Sequence, residues 1–286
     1  MVANRRLPVL MLVVGDQGDA LEITSICEKA VQGGVDAIQL RIRKGSRQNS
    51  NRIARMLQPQ LVGRAQLIIN SDVSLALELS CGLHLPGASL PPQEARAIIG
   101  ERMLLGKSVH SVVEARDCGG ADYILVGNVF MTPSKPGKTG IGVSKLRDFV
   151  EVARLPVLAI GGVTAANASD VIAAGASGVA VIRAIANSAD PKAAARELRA
   201  VIDLALSERC SMTQREEADP IEITVNGKAL QLDSRFSVSE FLTSRGLHER
   251  LLVVELNRSS LNRDRYATTT LANGDVIEIV HAIGGG

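Results

Sequence analysis

Short apolar runs rich in β-branched residues recur along the first part of the chain. Between them lie stretches whose apolar positions repeat every three or four residues. The runs are Leu7 to Val14, Asp36 to Arg41, Gln66 to Asn70, Cys81 to Leu85, Met103 to Ser108, Asp122 to Gly127, Pro156 to Gly162 and Ser177 to Ile182. Helical spacing is clear in EITSICEKAVQGG, QEARAIIG, NASDVIAAGA and PKAAARELRAVIDLAL. A run that is apolar at every position is buried on both faces, as in parallel strands covered by helices. Eight such units in about 200 residues predict an α/β fold, a (β/α)8 TIM barrel, with a doubly wound open sheet as the alternative. Gly-Gly turns such as Gly33-Gly34-Val35-Asp36 and Gly119-Gly120-Ala121-Asp122 precede several strands and read as fold punctuation.

The pattern breaks at SERCSMTQREEAD, residues 207–219, which is polar and dense in charge and is followed by Pro220. It reads as a linker that would span about 20 Å as a coil. Beyond it the period changes. IEITVNGKALQL alternates around Asn226-Gly227, a type I′ hairpin signal. SVSEFLTSRGL then predicts one short helix capped by Ser237, with Glu240 three residues on. LLVVELN, an irregular stretch around Asn262 to Thr270 and NGDVIEIVHAI complete a small α+β unit with a β-grasp, ubiquitin-like plan. The expected division is a barrel over 1–206, a linker over 207–219 and the small domain over 220–286, which ends in three glycines.

Composition narrows the function. The 286 residues are 46% apolar, yet no run reaches the roughly 20 residues of a membrane span. The apolar start, Leu7 to Val14, lacks a signal-peptide cleavage site. A net charge of +2 and an aromatic content of 2% without Trp argue against nucleic acid. Four scattered cysteines without a CxxC pair fit a reducing compartment and no zinc. The expectation is a cytoplasmic protein that binds neither membrane nor nucleic acid.

Candidate chemistry gathers at predicted C-terminal strand ends, the face on which barrel sites are built. Gly161 and Gly162 after the seventh strand, with Ile182 and Arg183 after the eighth, suggest a phosphate cradle. Gln39, Arg41, Arg43, Asn70, Lys107, Ser108, Asn128, Thr132, Ser134 and Lys135 fall at the other strand ends. Together they suit an anionic substrate with more than one acidic group.

Two resemblances sharpen this. Residues 221–286 resemble the ubiquitin-like sulfur carrier of thiamine biosynthesis, through VNGK, the DSRFSVSEFL helix start, VVELN, LANGDVIEIVHAI and the final GGG. The resemblance implies that Gly286, behind Gly285, is adenylated by a carrier-activating adenylyltransferase. A sulfur donor then converts it to a thiocarboxylate, which serves thiazole synthase. Glycines lack a Cβ, so such a tail can thread a narrow slot. Residues 7 to about 206 resemble the thiamine phosphate synthase and thiazole tautomerase superfamily. The matching motifs are QLRIRKG, LIIN, GKSVHS, ADYILVGNVFMTPSK, AIGGVT and GVAVIRAI.

Within that superfamily the synthase needs Mg2+ for departing pyrophosphate, and Mg2+ needs carboxylates. At the two places where the synthase carries them, this chain has Asn70-Ser71 and Pro86-Gly87-Ala88-Ser89. The expectation is therefore the tautomerase branch, an isomerase that aromatises a thiazole carboxylate phosphate without metal or other cofactor. Its phosphate would sit at Gly161-Gly162/Ile182 and its carboxylate near Lys107, Lys135 or Arg41. The branch's acid/base histidine is replaced by Asn128, which cannot titrate near neutrality. His110 ranks first as the substitute, with Lys135 and Lys107 behind it, and His84 reads as a hydrogen-bonded core residue. The alternatives are a synthase joining pyrimidine pyrophosphate to thiazole phosphate, with Asp72 or substrate phosphates holding Mg2+, and a non-catalytic scaffold for the carrier.

Overall fold

The computed structural model describes residues 7–15, 18–41, 47–132, 137, 139–216, 220–232, 236–247 and 252–281. Two compact units divide the chain, Met1–Ser207 and Glu208–Gly286. In the first, strands β1 (Leu10–Gly15), β2 (Ala37–Arg41), β3 (Gln66–Asn70), β4 (Gly82–Leu85), β5 (Leu105–Val109), β6 (Tyr123–Gly127), β7 (Val157–Ile160) and β8 (Gly178–Val181) pair in chain order. All pairings are parallel, and β8 returns to β1 through Leu10↔Val179. Closure excludes the open sheet. Helices α1 (Ala20–Gln32), α2 (Arg47–Leu61), α3 (Val73–Glu78), α4 (Pro92–Ile99), α5 (Val112–Arg116), α6 (Gly142–Val152), α7 (Ala168–Ala173), α8 (Arg183–Ala186) and α9 (Pro191–Glu216) follow the strands.

The continuous apolar runs have a direct cause. Met11, Val13, Ala37, Ile68, Tyr123, Leu125, Leu158 and Ala180 fill the barrel interior. Their strand neighbours Leu10, Leu12, Ile38, Leu40, Ile69, Leu83, Leu105 and Val126 pack against the helices. Each fully buried aliphatic contributes about 1.5–3 kcal/mol, so both faces of every strand select for apolar residues.

The Gly-Gly turns lie at the N-terminal ends of the strands, where Gly34 (φ 108°) and Gly120 (φ 91°) have positive φ. The aspartates that follow do more than punctuate. Asp36 accepts from the Val9 and Leu10 N–H groups at 3.1 Å and pairs with Arg199. Asp122 accepts from the Leu105 N–H and from Arg96, each at 2.7 Å. Each carboxylate thus ties the start of its own strand to the preceding one.

Helix α9 corrects the expected coil. It runs unbroken to Glu216, through most of the segment expected as a flexible linker. Glu, Arg, Met and Gln are good helix formers, and no Gly or Pro occurs between Pro191 and Pro220. Charge density alone does not end a helix.

The second unit has β9 (Ile221–Val225), β10 (Lys228–Leu232), α10 (Val238–Ser244), β11 (Leu252–Leu256), β12 (Ser259–Leu261) and β13 (Val276–His281). Its sheet order is β10-β9-β13-β11-β12, with β13 and β9 parallel, as a β-grasp requires. The hairpin turns on Asn226 (φ 46°) and Gly227 (φ 76°). Ser237 and Glu240 form a reciprocal capping box on α10. Ile223, Phe241, Leu242, Val254, Tyr266 and Ile277 make a separate core. Among the described residues, no helix is long and apolar enough to cross a membrane.

Candidate active site at the barrel mouth

A cavity of about 400 Å³ opens where the strands end. Alternation decides which side chains reach it. Below Gln39 and Arg41 on β2 lies Ala37, an interior residue, so all three share the inner face. Asn70 stands two residues past interior Ile68, and Ile182 two past interior Ala180. Gln39, Arg41, Asn70, Ser108, His110, Asn128, Thr132, Gly161, Gly162, Ile182 and Arg183 all line the cavity. Arg43, Ser134, Lys135, Gly285 and Gly286 lie outside the described residues.

Gly161 (φ 100°) and Gly162 (φ 70°) have no substitute. A Cβ on Gly161 would sit 2.4 Å from the Asn128 Cβ, and one on Gly162 would sit 2.7 Å from the Met131 carbonyl oxygen. The loop is braced from below by Asn167, whose amide donates to the Gly162 carbonyl at 3.1 Å and accepts from the Thr164 N–H at 2.9 Å. The sequence carried no signal for Asn167, since its partners are set by loop geometry. Asn128 is buried and donates to the Phe130 carbonyl at 3.3 Å, which folds the loop after β6.

On the opposite wall, Gln39 donates to Asn70 Oδ1 at 3.2 Å, and Asn70 donates to Ser71 Oγ at 2.7 Å. The chain leaves Gln39 Oε1 buried without a donor among the described residues. A buried acceptor of this kind costs about 1–3 kcal/mol until a donor arrives, which suits it to a ligand N–H.

Lys107 requires a correction. It was expected at the substrate, but it falls between inward Gly106 and Ser108 on β5, so its side chain leaves on the helix-facing side. Its ammonium donates to the carbonyls of Pro86 and Gly87 at 2.8 Å each and to Ser89 Oγ at 3.1 Å. It is buried, and burial holds its pKa below the usual lysine value. Lys107 therefore ties down the loop after β4 and is not a cavity residue.

His84 sits on the inner face of β4, completely buried. Its Nδ1 lies 3.2 Å from Tyr123 Oη and its Nε2 2.8 Å from Ser108 Oγ. Burial, with Lys107 and Arg41 nearby, pushes its pKa down to about 3. It is neutral under all ordinary conditions.

The residues do not fit a protein-held Mg2+. Asp72, the nearest carboxylate to the family's first metal position, caps α3 through the Leu75 N–H at 2.9 Å and faces Arg47 at 3.4 Å. At the second position the loop is filled by the Lys107 ammonium. Among the described residues, no group of three or more His, Cys, Asp or Glu side chains is placed to hold a metal.

A closed (β/α)8 barrel with glycines and arginines at its mouth is an architecture on which phosphate-binding enzyme sites are commonly built. The chain belongs to the thiamine monophosphate synthase family, which it matches over residues 10–185, and residues 208–286 match the ThiS family. It is 40% identical over 207 residues to the thiamine-phosphate synthase of Roseiflexus sp. (strain RS-1), covering 70% of this chain and 88% of that protein. It is 39% identical over 196 residues to the one from Roseiflexus castenholzii, covering 66% and 86%. The thiamine phosphate pyrophosphorylase structure from Pyrococcus furiosus superposes with a TM-score of 0.60 at 30% identity, covering 69% of this chain and 96% of that one.

These relatives overturn the isomerase expectation. It rested on two serines, Ser71 and Ser89, standing where carboxylates were looked for. Similarity to synthases across the whole barrel outweighs two positions, and the same geometry removes Asp72 as a substitute metal ligand.

Proposed function

We propose that the barrel is a thiamine phosphate synthase: it joins a pyrimidine carried as its pyrophosphate to a thiazole phosphate and releases pyrophosphate. The observation that carries this is the 40% identity to such a synthase along essentially the whole barrel. The cavity is suited to the task. The reaction makes one bond to the pyrimidine's carbon as another, to the leaving oxygen, breaks, so negative charge grows on pyrophosphate. Fixed donors aimed at that charge lower the barrier. Arg41, Arg183, Ser108 and Thr132 line the cavity and supply such donors. The backbone of Gly161 and Gly162 offers the second anion, the thiazole phosphate, a close approach. Gln39 Oε1 lacks a donor among the described residues and suits an N–H on the pyrimidine.

The C-terminal unit, by its match to the ThiS family and its three terminal glycines, is assigned the role of sulfur carrier through Gly286. Its partners would be an adenylyltransferase, a sulfur donor and a thiazole-forming enzyme.

The test is to incubate the full chain with pyrimidine pyrophosphate and thiazole phosphate, with and without Mg2+, and measure thiamine phosphate and released pyrophosphate. Equal amounts of the two products are expected. No product under either condition, beside an active synthase control, would overturn the assignment.

A further inference from the structure

Behind the cavity wall lies a linear chain of three side chains, Tyr123, His84 and Ser108, of which only the last reaches the cavity. Tyr123 and His84 are fully buried, and Tyr123 Oη has one hydrogen-bond partner among the described residues, His84 Nδ1. A phenol in an apolar interior with a single nitrogen neighbour donates its proton to that nitrogen. His84 Nδ1 is then the acceptor, and because the ring is neutral its one proton lies on Nε2. That proton faces Ser108 Oγ at 2.8 Å and occupies the serine as an acceptor. The Ser108 proton must point elsewhere, and the open direction is the cavity.

The backbone is cut to fit this chain. Gly106 lies between the residues involved, and a Cβ there would be 2.2 Å from Tyr123 Cζ, 2.4 Å from Tyr123 Oη and 2.6 Å from His84 Nδ1. No side chain can stand at that position while the three partners keep their places.

We propose that Tyr123 and His84 are positioning residues which lock Ser108 as a hydroxyl donor toward the departing pyrophosphate. This rests on the synthase assignment for the identity of the ligand but not for the polarity of the chain. Without the lock, Ser108 could donate to His84 and turn a lone pair toward the anion, which would repel it. The lock holds at any pH where His84 is neutral, so the donor is ready before substrate arrives, as electrostatic preorganisation requires.

Two measurements test it. Two-bond proton–nitrogen NMR on histidine-labelled full chain reads the His84 tautomer directly; Nε2–H is expected, and Nδ1–H would overturn the proposal. Calorimetric titration with inorganic pyrophosphate, Mg2+ being supplied alike to all variants, reads the donor. Ser108→Ala is expected to weaken binding about tenfold, the scale of one hydrogen bond to a charged group. Tyr123→Phe, which leaves His84 free to carry its proton on Nδ1 and accept from Ser108, should give a mixed tautomer and weaken binding severalfold, with no loss beyond that of Ser108→Ala in the double variant. His84→Gln should keep most of the wild-type binding, since its amide can accept from Tyr123 and donate to Ser108. Undiminished affinity in Tyr123→Phe, or a full tenfold loss in folded His84→Gln, would overturn the lock. Failure of the synthase assignment would look different: no thiamine phosphate, with the tautomer and the pyrophosphate ranking unchanged.

Discussion

Single atoms decide what the mouth of this barrel can do. Replacing Gly106 with alanine would drive a Cβ to 2.2 Å from Tyr123 Cζ, against a ring that is itself fully buried. Overpacking at such a point costs about 1–3 kcal/mol. Gly106→Ala is expected to lower the barrel's unfolding free energy, read from urea denaturation, by that amount and to depress turnover by displacing the Ser108 support. His84 also gives the protein a pH dependence. Its pKa is lowered from the ordinary 6.5 to about 3 in the fold. Below pH 6.5 the unfolded chain therefore takes up a proton that the folded chain refuses, so stability falls with falling pH. The loss grows by about 1.4 kcal/mol per pH unit in that window. Chemical denaturation at pH 7 and pH 5 should show a smaller drop for His84→Gln than for the wild-type chain. An equal drop would place the acid sensitivity elsewhere. None of this was visible in the sequence beyond the status of His84 as a bonded core residue. The partners of a buried ring depend on which neighbouring strand residues face inward, and nothing in the ADYILVG run set Tyr123 apart from its apolar neighbours.

At the level of elements, strands were legible because a barrel strand is apolar on both faces, and the eight runs coincide with the eight strands to within a few residues. Which side chains point into the cavity was less legible, because it depends on register. Lys107 stands at a strand end like its neighbour Ser108, yet the two-residue period turns it outward to the loop at Pro86 and Gly87. The helical continuation of α9 was hidden for another reason: polarity marks exposure, whereas Gly and Pro mark termination. The ends of the strands opposite the mouth carry their own staples. Arg96 donates to the carbonyls of Gly120, Gly100 and Met103 and pairs with Asp122 at 2.7 Å, with its side chain only 10% exposed. Arg96→Ala would take the guanidinium away from the Asp122 carboxylate, which keeps the Leu105 N–H, and from three carbonyls. A loss of about 2–4 kcal/mol in barrel stability is expected, read from denaturant unfolding. Pyrophosphate affinity should stay unchanged, since Arg96 is at the far end of the barrel. A weakened site in a stable variant would mean that the two ends are coupled.

For the whole molecule, the two units carry separate cores and separate chemistries. The barrel has its interior and its helix-facing layer, and the C-terminal unit packs around Phe241, Leu242 and Tyr266. On the proposed assignments one unit consumes thiazole phosphate while the other supplies the sulfur from which a thiazole is built. Fusion then puts a donor to the pathway and a later consumer on one chain, but it does not require either reaction to wait for the other. Removing Gly285 and Gly286 from the full chain takes away the proposed thiocarboxylate site and leaves every described cavity residue in place. Thiamine phosphate formation by that variant should match the wild-type rate within about twofold, a change under 0.5 kcal/mol in the barrier. Mass spectrometry after incubation with the adenylyltransferase and sulfur donor should find no oxygen-to-sulfur exchange at the shortened terminus. Arg183→Ala should give the converse: an intact sulfur exchange with impaired synthesis. A synthase rate that falls with loss of the tail would mean that the terminal glycines take part in the barrel's reaction, and the two chemistries would then have to be treated as one.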